Sequence, residues 1–113
     1  MKQFMFLFKG GDAVWDSKTQ EQQQAHMQKW QHWIGEMAQA EKFLGGERLF
    51  PQGNTIHPGS KKVTDRPLSE AKELVGGYFV VKASSLDEAT EMAKGCPGLE
   101  WESTVEVREV WPE

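Results

Sequence analysis

The sequence predicts an α+β fold: an antiparallel sheet with two helices packed on one of its faces. Three observations lead there. Residues 3–8 read as a strand that is apolar on both sides. Two helix starts carry capping-box spacing, Ser17 with Gln20 and Ser85 with Glu88. Between Val63 and Pro97 the chain runs through loop, short helical turn, Gly-Gly, strand, cap and helix. The resulting order is strand, helix, strand or hairpin, strand, helix, strand. That is the split β-α-β pattern of ferredoxin-like folds.

In the first strand Phe4, Phe6 and Phe8 point one way and Met5 and Leu7 the other. A strand apolar on both faces needs cover on both. The Ser17–Gln20 box predicts a helix from about Lys18 to Leu44. Met27, Trp30, Ile34, Met37, Ala38 and Leu44 form its apolar stripe, with His26 and Trp33 along the flank. Gly45-Gly46 is the expected left-handed stop. Arg48–Phe50 reads as a short strand. Residues 51–62 hold two prolines and two glycines and read as a loop or irregular hairpin, with Val63-Thr64 pairing briefly after it.

Residues 77–83 are the clearest strand, with Tyr78 and Val80 alternating against Phe79 and Val81. The second capping box opens a helix carrying Leu86, Ala89, Met92 and Ala93. Gly95 ends it and Pro97 prevents its return. The last strand, residues 104–110, turns Val105 and Val107 inward and Glu106 and Arg108 outward. Two helices on one face leave the other face apolar, with Tyr78 or Phe79 and half of the first strand on it. An uncovered patch of that kind marks an interface. Two sheets packed face to face make a homodimer, a dimeric α+β barrel.

At 113 residues the chain suits a single domain. Its net charge is −4, and Lys61-Lys62 is the one adjacent cationic pair. A duplex binder needs a basic stripe to displace counterions, so direct nucleic-acid binding is not expected. The N-terminus MKQFMFLFKG is too short and too polar at its ends for a membrane span or signal peptide. A lone cysteine, Cys96, makes no intramolecular disulfide, and the cytosol is the expected compartment.

Several segments resemble the YCII-related proteins, the group with a DGPF motif. They are VTDRPLSEAKELVGGYF at 63–79, SLDEA at 85–89, CP at 96–97 and TVEVR at 104–108, with GGERL at 45–49 as the link to the second strand. The resemblance covers most of the chain. It implies a ferredoxin-like subunit that dimerises through its sheet. It also implies two kinds of role. Some members resemble small-molecule enzymes of the dimeric α+β barrel group, and others are encoded with or fused to sigma factors of the extracytoplasmic kind. The motif stands here as Asp65-Arg66-Pro67-Leu68, with Arg and Leu where the family has Gly and Phe. A side chain at 66 narrows or charges whatever space the glycine leaves.

Asp65 and His26 are the candidate catalytic residues. Asp65 beside a cleft would act as a general base, and His26 with Asp65 would make a base and an orienting partner. Both have plainer readings, which we favour. An Asp before a turn accepts local backbone N–H groups, here those of the Pro67–Glu70 turn. A helix histidine beside an apolar stripe is ordinarily half-buried. Tyr78, Trp33, Arg66 and Arg48 are candidates to line a ligand pocket. Trp15, Trp101 and Trp111 are harder to place within one subunit, and Trp15 is a candidate to cover a pocket mouth.

No cofactor is implied. His26 and His32 are six residues apart, about 240° around the helix, so they do not chelate one metal. Cys96 follows a helix C-terminus, which disfavours a thiolate. The reading is a cytosolic homodimer of one YCII-related, DGPF-like domain, with a cleft for a small organic molecule near the interface. The alternative is a non-catalytic interaction module, an accessory in transcription regulation. A concave, partly apolar pocket with Asp65 or a histidine on its wall speaks for the first. A flat patch left over after dimerisation speaks for the second.

Overall fold

In the computed structural model the described residues are 1–65 and 74–112. The elements are β1 (Lys2–Lys9), α1 (Asp12–Ser17), α2 (Gln20–Gln39), β2 (Phe43–Arg48), β3 (Asn54–Ile56), β4 (Val63–Asp65), β5 (Val75–Ala83), α3 (Leu86–Ala93) and β6 (Thr104–Glu109). A 3₁₀ turn, Pro97–Trp101, joins α3 to β6.

Four strands form one antiparallel sheet in the order β2-β5-β1-β6, and β3 pairs with β4 as a separate hairpin. The central strand β1 aligns Phe6 with Phe79 of β5 on one side and Val107 of β6 on the other. Period-2 alternation then puts Phe4, Phe6, Phe8, Phe79, Val81 and Ala83 on one face. Trp33 and Met37 of α2, and Ala89 and Ala93 of α3, complete that core. Both helices therefore share a face, and the topology is ferredoxin-like. Phe4, Phe6 and Val81 have no accessible surface, and each such side chain contributes roughly 1.5–3 kcal/mol on burial. The opposite face carries Met5, Leu7, Tyr78 and Val80, all partly accessible. Tyr78, not Phe79, is the aromatic residue there, and the phenylalanines of β1 all belong to the core.

The boundaries differ from expectation in instructive ways. The capping box of α2 is Thr19 with Gln22, whose side chains satisfy each other's backbone N–H groups. Ser17 instead closes α1, its hydroxyl donating to the Val14 carbonyl at 2.6 Å. The two S/T-x-x-Q spacings overlap, and only the second leaves room for α1. Helix α2 stops at Gln39, where Glu41 takes the left-handed conformation at φ 60°. Gly45-Gly46 lies within β2, at a register shift between Phe43 and Gly45. Gly46 is needed there, because a Cβ would collide with the Tyr78 carbonyl and the Phe79 ring.

The buried side of α2 runs through His26, Trp33 and Met37, while Met27 is 40% exposed. The stripe is thus turned toward the residues placed on its flank, with Trp30 and Ile34 packed beside them. At α3 the Ser85 hydroxyl accepts from the Glu88 N–H as expected. The Glu88 carboxylate turns away, taking the Ser84 hydroxyl at 2.6 Å and Lys42 at 2.9 Å. These two donors, Lys42 first, hold its pKa below the ordinary carboxylate value.

Candidate functional site

At one end of the sheet, β1 leaves the core through Gly10-Gly11 and enters α1. Gly11 caps that helix with φ 86°, a left-handed conformation, and a Cβ there would strike the Ser103 hydroxyl. The short helix is closed by Trp15 N–H donating to the Gly11 carbonyl at 3.0 Å. Gln23 of α2 holds it from below, its amide donating to the Trp15 carbonyl at 2.8 Å. Trp15 is thereby brought over the ends of β2 and β5.

The space beneath is a cavity of about 290 Å³. Phe8, Phe79 and Trp30 form its inner wall; Trp15 and Trp101 form its outer one. Six glycines, at 10, 11, 46, 76, 77 and 98, line much of the rest, together with Asp12, Met27, Gln31, Ile34, Glu47, Arg48 and Ser103. The glycines leave space unfilled and present main chain to it. The Trp15 and Trp101 rings are 6.0 Å apart at 58°. Trp30 meets Phe8 edge-on at 5.0 Å and Phe79 at 5.8 Å.

His26 is the buried polar group of this wall, 5% exposed. Its ring lies flat on Trp101, centroids 3.8 Å apart and 7° from parallel. Its Nε2 accepts the Trp30 indole N–H at 3.1 Å. An indole nitrogen only donates, so Nε2 carries the lone pair and the neutral ring keeps its proton on Nδ1. Burial lowers the His26 pKa; Glu100 pulls it back up and Lys29 adds to the lowering. Arg48, the last residue of β2, places its guanidinium carbon over Trp15, 5.1 Å from the ring centroid, and the Lys18 ammonium sits over Trp101 at 5.5 Å.

A second concavity, about 970 Å³, is a wide groove between α2 and α3 with Trp33, Met37, Met92 and Cys96 along it. It is larger and more open to solvent. Charges on its rim are spent on exposed pairs, Lys29 with Glu100 and Lys94 with Glu91. The Cys96 thiol is pushed up to about 11 by burial, so it is no nucleophile at neutral pH. The smaller aromatic cavity, with its convergent polar groups, is the better candidate site.

The sequence model of the YCII-related domain matches residues 3–113, essentially the whole chain. The chain belongs to the YCII-related family. A search of the curated proteins finds no match.

In this YCII-related chain, His26 and Arg48 line the cavity. Asp65 is exposed at the end of β4, paired with Asn54 across the hairpin, and does not line it. The charged groups acting on His26 are Glu100 and Lys29. The Pro67–Glu70 turn that Asp65 was expected to cap, and Arg66 itself, lie outside the described residues. Tyr78 faces away from the cavity, on the other side of the sheet. Trp33 is a core residue whose indole N–H donates to the Met92 carbonyl at 3.2 Å, tying α2 to α3. Trp30, which by its spacing reads as core, is both core and cavity wall. The glycines were the missed signal: Gly10-Gly11 follows the first strand, and Gly76-Gly77 opens β5.

His32 pairs with Glu36 on the outside of α2 at 3.0 Å. Among the described residues no three His, Cys, Asp or Glu side chains come together as metal ligands. Among them, too, no helix is long and apolar enough to cross a membrane.

Proposed function

We propose that this YCII-related protein is a homodimer that binds, or transforms, a small organic molecule in the aromatic cavity of each protomer. The observation that carries the reading is the cavity itself: concave, walled by Trp15, Trp30 and Trp101, and holding a buried neutral His26. Cavities of this make-up are where small ligands bind. His26 serves there as a hydrogen-bond donor through Nδ1, because Trp30 occupies its Nε2 lone pair. Its role is to bind and orient rather than to abstract a proton at Nε2.

Dimerisation is supported by the row Met5, Leu7, Tyr78 and Val80 on the sheet face away from the helices. The molecule is 18 Å through its thinnest direction, the depth of one sheet and one helix layer. A second sheet against that row would bury it. The lone cysteine supports a cytosolic setting.

The second reading, an interaction module with no chemistry, has one observation in its favour. On the β3–β4 hairpin Ile56 is 68% and Val63 56% exposed, facing each other across the ladder. A thermal-shift screen against a metabolite library separates the two. The ligand-binding reading predicts stabilising compounds whose effect disappears in Met27→Trp, a bulky change at a half-exposed residue of the cavity rim. A screen without any stabilising compound would favour the module.

A further inference from the structure

We propose that the ligand of the aromatic cavity is an organic carboxylate, a planar ring acid whose anionic end pairs with Arg48. This rests on the reading of the cavity as a ligand site and adds the charge and shape of its occupant.

Arg48 carries the argument. Register aligns it with Gly77, on the side of the sheet that faces the helices and the cavity. Its guanidinium carbon lies over the Trp15 ring, 5.1 Å from the centroid. Cation–π attraction to the ring uses none of the guanidinium's N–H donors, whose planar fork matches a carboxylate with two parallel bonds. Among the described residues no carboxylate lies within salt-bridge distance of it. Beside it, Gly76 and Gly77 add no side chains to the cavity lining.

The carboxylates nearby do not reverse the balance. Glu47 lines the cavity, but it aligns with Tyr78, so by alternation its side chain leaves the strand toward the opposite face of the sheet. Asp12 sits at the rim in the first turn of α1 and is exposed. An organic cation would instead seek the electron-rich ring faces. Those of Trp15 and Trp101 already hold Arg48 and Lys18, and His26 lies against Trp101 as well. Two resident cations repel a third. The neutral His26 ring adds a donor, Nδ1–H, and no acceptor. A volume of about 290 Å³ lies at the lower end of ligand cavities, roughly 300–1,000 Å³, and suits one ring system.

Calorimetric titration with three isosteric probes tests this: 2-naphthoate, 2-naphthamide and 2-naphthylmethylamine. We expect naphthoate to bind the wild-type protein roughly tenfold tighter than naphthamide or more, the size of a charge-assisted pair. Arg48→Met should bring naphthoate down to the naphthamide level while leaving naphthamide unchanged. Arg48→Lys keeps the charge and loses the fork, and should fall between the two. Equal affinity for acid and amide, or tightest binding of the amine, overturns the carboxylate assignment and leaves the cavity reading intact. Binding of none of the three also overturns it. The cavity reading falls with it only if the metabolite library yields no compound sensitive to Met27→Trp.

Discussion

Trp30 donates its indole N–H to the Nε2 of His26, one helical turn earlier, at 3.1 Å. The two residues are four apart on α2, the spacing at which side chains on a helix surface meet. The bond fixes a tautomer. Protonating His26 would set an N–H against an N–H, which adds to the burial that already lowers its pKa.

That arrangement makes stability depend on pH in a definite direction. The unfolded chain takes up a proton at His26 near its ordinary value, about 6.5. The folded chain does so only at lower pH. Between the two the unfolded state binds more protons, so folding stability falls as pH drops through about 6.5 and below. Chemical denaturation from pH 8 to pH 5 should show this loss. His26→Gln should flatten it, and Trp30→Phe, which removes the donor, should raise the His26 pKa in an NMR titration. A stability curve with the same slope in His26→Gln would reject the assignment.

Neighbouring residues of β1 should fail in different ways. Phe6 is wholly buried under the helices, so Phe6→Ala should cost about 3–5 kcal/mol in denaturant unfolding. Leu7 lies on the opposite face. Leu7→Asp should leave the fold in place and shift the mass by light scattering from dimer to monomer. A monomeric wild-type protein at micromolar concentration would remove the dimer from the account.

Two glycines should respond with opposite sign. Gly46→Ala pushes a methyl into the Tyr78 carbonyl and the Phe79 ring where β2 meets β5, and should cost roughly 1–3 kcal/mol. Gly35 stands on the exposed side of α2 with nothing within 4 Å of an added Cβ. Gly35→Ala should stabilise by up to about 1 kcal/mol through helix propensity alone. Thermal melts of the two variants are enough to check this.

Much of the fold was legible because it follows from alternation and caps. Phe4, Phe6 and Phe8 announce a core face, and Ser85 announces α3. What eluded the sequence was geometry set by tertiary contact. Glu41 in a left-handed conformation ends α2 before Gly45-Gly46, and no propensity predicts that choice. Gly46 reads as a helix stop, yet it serves a close approach between strands. His26 reads as a flank residue because only the fold brings Trp101, seventy-five residues on, against its ring. The cavity followed the same pattern. Arg48 and His26 were candidates from sequence, but its glycine lining comes from segments far apart in the chain.

Asp65 offers a test of what lies away from the cavity. It is exposed on the hairpin, so Asp65→Asn should leave ligand binding unchanged. Replacement by Ala should cost roughly 1 kcal/mol if its carboxylate caps a local turn. Loss of binding in Asp65→Asn at unchanged melting temperature would give this residue a part in the site.

The most direct test of the cavity as the ligand site uses the five tryptophans as reporters. Their indole N–H resonances can be followed by two-dimensional NMR while the most stabilising library compound is added. Trp15, Trp30 and Trp101 wall the cavity; Trp33 lines the outer groove, and Trp111 is 86% exposed. A ligand in the cavity should shift the first three and leave Trp33 and Trp111 unmoved. Shifts confined to Trp33 or Trp111, with the cavity signals unmoved, would contradict it.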